Sequence, residues 1–535
     1  SLLESEADRG RLIDLNLQAG RRAMTATAYG SALVYLEVGL ALLPEVAWQT
    51  DYELTLPLYT LATEAAYQHG TFERMEQFSE TVLQQARTPL DQAKIYAINI
   101  DFYASQGKLL EAMQTTLHAL SLFGVHIPGQ PEQSDVEQAM QEVRAALVSL
   151  GPTLDIQLKS LLNQAETTDP LISAALSILN KGQLAAYFYN AKLAVLMQVD
   201  GIKLTIQYGL NPAASQMFAM YASHLCGQGD IETGYQIGQF VLKLGEYRDT
   251  FSSATARAII NAMVRPRQEH IRHTLPSLLA GHQTALENGE LFWAGISLQI
   301  YCLRALMVGK NLAQLEQEMA LYGSTLQQIK QVRPLQTLQT YWQFVLNLRG
   351  QVPVPWQLED GLFDLETRRS QWLETKNVIG LAGLSTWQCA LSYLFQRFPQ
   401  AAEQATSGEP YLDAQTVGPY TPAYYLYDSL ARLAIYCDVS AAEQQQILAR
   451  VGAHQAKMKH WAKHAPMNLL HKYLLVEAER ARVLGQDGQA REYYDQAIEL
   501  AHEHEYINEE ALAYEVAARF YLAKGNLTIA HPYLR

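Results

Sequence analysis

Sliding the C-terminal end of the chain past itself by 40 positions lays Ala478, Gly485 and Ala490 onto Ala518, Gly525 and Ala530. Leu474 and Tyr494 fall on Tyr514 and Leu534 at the same shift. Within each copy a small residue is followed seven positions later by glycine and twelve positions later by alanine. That spacing suits two antiparallel helices joined by a tight turn. Small side chains sit where the helices cross, and glycine ends the first helix in a left-handed conformation without a Cβ penalty. A hairpin of this kind cannot bury its apolar face alone, so it has to stack on a neighbour.

The same grammar recurs along the chain. Gly20, Ala23, Ala32, Gly39 and Pro44 form one set, followed by Tyr59, Ala66, Gly70 and Met75. Tyr96, Tyr103, Gly107, Ala112 and Ala119 form the next, and Phe218, Ala222, Gly229, Gly234 and Gly238 another, with a weaker copy around Gly309. These are the offsets of a tetratricopeptide-type hairpin, whose period is about 34 residues. The six residues beyond that period are expected in "HEHEYINEE", between hairpins, where insertion costs little. Apolar and small residues at three- and four-residue spacing, such as Leu12, Leu15, Ala19 and Ala23, support helix, and alternating β-branched runs are nearly absent. The expected fold is all-α: a tetratricopeptide-like α-solenoid of stacked helical hairpins in a right-handed superhelix. The 535 residues hold about thirteen helical pairs.

Proline-containing breaks punctuate this array at Gly124 to Asp135, near Pro170, at Arg349 to Gly361 and at Thr406 to Ala423. Val136 to Leu162 has helical character with poor repeat grammar. Five segments are therefore expected: N-terminal hairpins (1–124), an irregular helical segment (125–210), central hairpins (211–350), a Pro/Gly-interrupted segment (351–425) and C-terminal hairpins (426–535). Arg535 falls inside the second helix of the last unit, with no polar capping helix after it, so the chain is expected to be a middle piece of something longer.

Composition narrows the function. With 54 acidic against 40 basic residues the net charge is −14, which argues against nucleic-acid and anionic-membrane partners. Cys226, Cys302, Cys389 and Cys437 form no CxxC pair and read as buried thiols in a reducing compartment. The chain has neither an apolar run of about 20 residues nor a signal-peptide start, and it is expected to be cytoplasmic.

The chain has no phosphate-binding GxxxxGK[ST] loop, GxGxxG, GxSxG or HExxH, and no kinase HRD with a downstream DFG. No catalytic, cofactor-binding or metal-binding residue is assigned. Two basic clusters stand out as candidate partner- or anion-binding sites. "RPRQEHIRH" offers Arg265, Arg267, His270, Arg272 and His273, whose forked guanidinium donors suit a phosphate or a carboxylate. The plainer reading is a solvated connection between Pro266 and Pro276. "KMKHWAKH" offers Lys457, Lys459 and Lys463, with His460 and His464 on one helical face. Three lysines repel a cation, so a basic docking face or a plain solvated face fits better than a metal. "HEHE" at His502 to Glu505 reads as an exposed turn. Tyr493, Tyr494, Tyr514 and Tyr521 suit either inter-hairpin packing or a peptide groove.

Three stretches carry a family resemblance: "LNLQAGRRAMTATAYGSALVYLEVGLALLP", "YASHLCGQGDIETGYQIGQ" and the block from His460 to Asn526. Together they resemble the central helical region of large bacterial, especially cyanobacterial, multidomain signalling kinases. Those proteins carry a serine/threonine kinase domain, an AAA-like ATPase, this helical region, a GAF sensor and usually a histidine kinase. None of the family's kinase, P-loop or phospho-acceptor motifs lies in this chain, so no catalytic residue carries over. The resemblance implies a non-enzymatic scaffold for protein–protein or interdomain contacts. Its expected partners are its own flanking ATPase, sensor and kinase domains or a partner peptide. The alternative is a small-molecule-sensing solenoid beside a signal-transducing ATPase.

Overall fold

The computed structural model describes residues 6–248, 251, 253–359, 361–375, 377–413 and 420–533. Leu534 and Arg535 lie outside them, and so does the chain end expected inside a helix. Among the described residues the only strand-like pairing is an isolated bridge between Glu166 and Leu210; the rest is helix, turn and loop. The chain divides into two compact units, Ser1–Met217 and Phe218–Arg535.

In the first unit, α1 (Glu6–Thr25) pairs with α2 (Tyr29–Ala41), and a single turn, α3 (Ala47–Thr50), leads to α4 (Tyr52–His69) and α5 (Phe72–Gln85). Next come α6 (Pro89–Ser105) and α7 (Leu109–Leu122), then α8 (Gln133–Val148), α9 (Leu154–Leu162), α10 (Pro170–Tyr189) and α11 (Ala191–Tyr208). The small residues do what their spacing implies. A Cβ on Gly20 would stand 2.7 Å from Leu36, and one on Gly39 would stand 3.1 Å from Leu58. Both glycines therefore mark places where a neighbouring leucine packs close against the helix backbone, and a larger residue would have to push it aside. Leu36, Leu58, Ala62, Val82 and Ile95 form the core beneath them. Helix α10 packs on α6 and α7, while α8 packs on α11. The poorly patterned stretch is thus an insertion that the hairpin stack continues past.

The second unit contains most of α12 (Ala214–Gln228) and then α13 (Ile231–Tyr247), the six-residue α14 (Ala254–Ile259) and α15 (Leu275–Glu287). The later pairs are α16 (Leu291–Met307) with α17 (Leu312–Gln328) and α20 (Val378–Leu394) with α21 (Phe398–Asp413); between them α18 (Val332–Leu348) packs on α17 and the short α19 (Leu365–Glu374) on α20. They are followed by α22 (Thr421–Ala434) with α23 (Ala441–His464), α24 (Pro466–Val483) with α25 (Asp487–Glu503), and α26 (Ile507–Ala523) with α27 (Leu527–Tyr533). First helices stack on first helices from α16 through α18, α20, α22 and α24 to α26. Two large apolar cores run through this stack, one from Ala262 to Tyr420 and one from Ala382 to Ala530.

Two local expectations change. The six extra residues of the 40-residue repeat do not form a loop. Helices α25 and α26 have 17 residues each, and the turns between them are three residues long, so the excess lengthens the helices. In the stretch from Thr406 to Ala423, α21 runs on to Asp413, residues 414–419 lie outside the described residues, and α22 begins at Thr421. The break at Arg349 to Gly361 is irregular, and it is held by side chains of α18: Asn347 Nδ2 donates to Pro355 O at 3.0 Å, and Gln343 Nε2 to Glu359 O at 3.2 Å. Among the described residues no helix is long and apolar enough to cross a membrane.

Candidate functional site

The first basic cluster sits where a hairpin departs from the rule. After α14 the backbone widens into a π-turn (Ile260–Val264), tightens into a 3-10 turn (Arg265–Arg267) and makes another (Ile271–Thr274) before α15. Pro266 lacks the N–H that would continue a helix. The side chains of this irregular segment are mostly engaged. Arg265 donates through Nη2 to Glu269 at 2.6 Å and through Nη1 to Asn261 Oδ1 at 2.8 Å and Ser277 Oγ at 3.3 Å. Tyr235 OH donates to Glu269 at 2.9 Å. Burial raises the Glu269 pKa, but the hydrogen bonds from Arg265 and Tyr235 outweigh it and leave the carboxyl below its usual range. Tyr235 is pushed up to about 12, first by burial and then by the Glu269 carboxylate.

The rest of the segment lies against α24 and the α25–α26 turn, about 200 positions away in sequence. The Asn468 side chain, 1% exposed, makes four hydrogen bonds there. Its Nδ2 donates to Pro266 O at 2.9 Å and to Glu269 O at 2.7 Å. Its Oδ1 accepts from Ile271 N at 3.1 Å and from Tyr506 OH at 2.8 Å. The Ile271 amide can only donate, which fixes the orientation of the carboxamide and uses its full capacity. His270 Nε2 donates to His504 O at 3.0 Å, its Nδ1 accepts from Arg272 N at 3.0 Å, and its ring packs 5.2 Å from Tyr506. With one nitrogen accepting, the imidazole is neutral, and burial lowers its pKa accordingly. Arg272 pairs with the Glu505 carboxylate and donates to Glu505 O at 2.9 Å. His273 is exposed.

The two basic clusters meet through aromatic rings. Arg267 lies 5.5 Å over the Trp461 ring, and burial lowers its pKa. Trp461 is parallel to Tyr425 at 5.8 Å, and Tyr425 stacks on His454 at 4.1 Å. Lys457 Nζ donates to Tyr425 OH at 3.0 Å. Lys459 and Lys463 are exposed on α23 and do not join this stack. His460 and His464 have ring centroids 5.4 Å apart, and among the described residues no three His, Cys, Asp or Glu side chains gather to hold a metal.

Beneath the segment lies a buried ionic group. Lys472 Nζ sits 2.6 Å from Glu509 and donates to Asn468 O at 2.8 Å, and His471 also contacts Glu509. Burial raises the Glu509 pKa, but Lys472 and His471 outweigh it and leave the carboxyl below its usual range. Burial, then Lys472, push His471 down to about 4, so its ring is neutral at pH 7. Arg304 is 6% exposed, donates to Ala262 O at 2.7 Å, and is lowered to about 10 by burial.

The tyrosines divide between the two readings. Tyr494 and Tyr521 are buried in packing, whereas Tyr514 lines a groove of about 540 Å³ with Asp495, Glu499, His502, Glu510 and Tyr533. A second cleft, of about 480 Å³, is bordered by Tyr235, Gln239, Arg257, Asn261, Arg265 and Glu269. Sequence reasoning missed Asn468, Tyr506 and Trp461. The local pattern around Asn468 gives no sign of its role, because every group it binds except Tyr506 lies on a distant segment.

No protein-family model matches the chain. A curated relative, the hybrid signal transduction histidine kinase G of Dictyostelium discoideum, is 18% identical over 385 residues. The match takes in 66% of this chain and only 11% of that protein's length. Among solved structures, that of yeast Tom70 aligns over 96% of each chain with 10% identity and a TM-score of 0.30, too low to define a shared fold. The assignment as a tetratricopeptide-like solenoid therefore stands on the hairpin stacking itself.

Proposed function

We propose that this chain is a non-catalytic helical-repeat scaffold that holds protein segments and so regulates an ATPase or kinase joined to it. The observation that carries the reading is the Asn468 carboxamide, which holds three backbone groups of an irregular segment against the stacked helices. A surface that reads backbone hydrogen-bonding groups holds a peptide without demanding one sequence, which is what an interaction scaffold requires. The likeness to a short part of a hybrid signal transduction histidine kinase supports a place in signalling. Stacked hairpins touch mainly their neighbours, so a segment bound to one part shifts the array between arrangements that an attached domain can sense.

In this reading the chain turns over no substrate and needs no cofactor. Titrating it with ATP should give no heat and no phosphate release; hydrolysis or micromolar binding would contradict the reading. In a longer protein that carries it, Asn468→Ala should change the phosphotransfer rate of the joined catalytic domain. An unchanged rate would remove the regulatory part. The cleft beside Arg265 and Glu269 favours a second reading, small-molecule sensing. A metabolite that raises the melting temperature of the wild-type chain and not of Arg265→Ala would support it.

A further inference from the structure

We infer that the face made by Asn468, Tyr506 and the His504–Glu505 turn is a peptide-binding site, and that residues 265–273 are its displaceable internal ligand. The inference rests on the scaffold reading and names the class of segment taken: irregular, basic, with one aliphatic anchor.

Three observations converge on it. First, the contact has the anatomy of a bound peptide. The segment is not α-helical but two short 3-10 turns with a bend between them, its main-chain groups at Pro266, Glu269 and Ile271 are held by one buried carboxamide, and its basic side chain Arg272 meets the acidic Glu505. Second, its apolar anchor is separate from the structural cores. Ile271 is buried with Val308, Ala501 and Tyr506 in a small cluster distinct from the two large cores of the unit, with Leu275 packing against both it and one of those cores. Removing Ile271 from that cluster leaves both large cores intact, so release is a local opening rather than unfolding. Third, the array gives up regularity to place the segment. Helix α14 stops after six residues, where α16, α18 and α20 have 17 each.

Occupancy by the chain's own segment makes the site self-inhibited. The tethered segment is at high effective concentration, so a partner segment of the same chemistry binds only when the internal one is displaced. Glu505, 67% exposed at the rim, is where an incoming basic residue meets the surface first.

The test uses the full chain and a labelled synthetic peptide spanning Val264 to Leu275. Ile271→Asp puts a carboxylate into the apolar cluster and leaves Asn468 intact. Amide exchange in residues 266–272 should rise at least about tenfold, while amides of α16, α20 and α22 stay within about twofold. The peptide should bind the Ile271→Asp chain in the micromolar range and bind the wild-type chain at least about tenfold more weakly. Binding should vanish in Ile271→Asp/Asn468→Ala. Arg272→Glu provides a gentler opening: exchange rises by a few-fold and returns when Glu505→Arg is added. The inference is overturned if exchange rises uniformly through the unit, if the charge swap restores nothing, or if the peptide ignores the opened chain. None of these outcomes bears on the ATP titration or the phosphotransfer assay, so the scaffold reading stands or falls separately.

Discussion

Both units are arrays of helical hairpins, yet they bury different groups. The buried polar side chains of the first unit are neutral, among them Thr55, Thr116, Gln183 and Gln198, and among its described residues no charged side chain is buried. The second unit buries Arg304, Arg368, Asp428, Lys472, Glu479 and Glu509, together with His454 and His471. Hairpin stacking therefore does not need buried charge. In the second unit part of that charge, Lys472 and Glu509, lies under the 265–273 segment, while Asp428 holds Arg450 at 2.7 Å between the two helices of one hairpin. Buried ion pairs add little net stability over well-packed apolar groups, but breaking one is costly. Such groups suit a contact that must form in one register.

The difference makes acid the sharpest probe. His454 and His471 are each held down to about 4, first by burial, and are neutral in the folded chain at pH 7. Unfolded histidine takes up its proton near 6.5, so the unfolded state binds more protons between about pH 6.5 and 4. Stability of the second unit is therefore whole above that window and lost as pH falls through it, by on the order of 3 kcal/mol per histidine. Glu509, held below its usual range, adds a further loss at more acid pH. Peptide-resolved exchange from pH 7 to 4 should show the second unit opening first. Both units opening together would break the contrast.

Glu509→Gln comes next, because it leaves Lys472, 3% exposed, without its carboxylate. A loss of about 3 kcal/mol in urea unfolding is expected, confined to the second unit. In the first unit, Gly182→Val should cost about 2 kcal/mol, since a Cβ there would stand 2.4 Å from Thr116 Cγ2 and 2.9 Å from Met197 Cε. That loss should be the same at pH 5 and pH 7, whereas a pH-dependent loss would mean hidden charge. Asn468→Ala should cost about 1–2 kcal/mol by leaving the Ile271 amide and two carbonyls unpaired. Smallest is Lys463→Glu on the exposed face of α23, expected within about 0.5 kcal/mol.

What the sequence disclosed divides differently, between local turns and long-range contacts. The regular hairpins were legible because glycine marks their turns: Gly70, Gly107, Gly309, Gly485 and Gly525 all have positive φ. Thr27, Lys330, Gln396 and Glu505 take a positive φ instead, so at those turns the sequence carries no glycine to mark them. Between α25 and α26, the "HEHE" stretch looked like an exposed turn. The His502 side chain is indeed 76% exposed, but the His504 carbonyl and Glu505 receive hydrogen bonds from a segment 233 or more positions away. Of the basic cluster, the sequence revealed the charges but not their occupants. Arg265 finds Glu269 four residues on, a pairing that helical spacing suggests, whereas Asn468 is tied to the segment only by the fold.

A displaceable internal ligand requires that the segment held by Asn468 open separately from the cores on either side. Hydrogen exchange on the wild-type chain at single-amide resolution measures this directly. The Ile271 amide is expected to exchange at least about tenfold faster than the buried amides of α20, through an opening almost insensitive to low urea. If the Ile271 amide and those of α20 share one rate and one urea dependence, the segment belongs to the core and the account is contradicted.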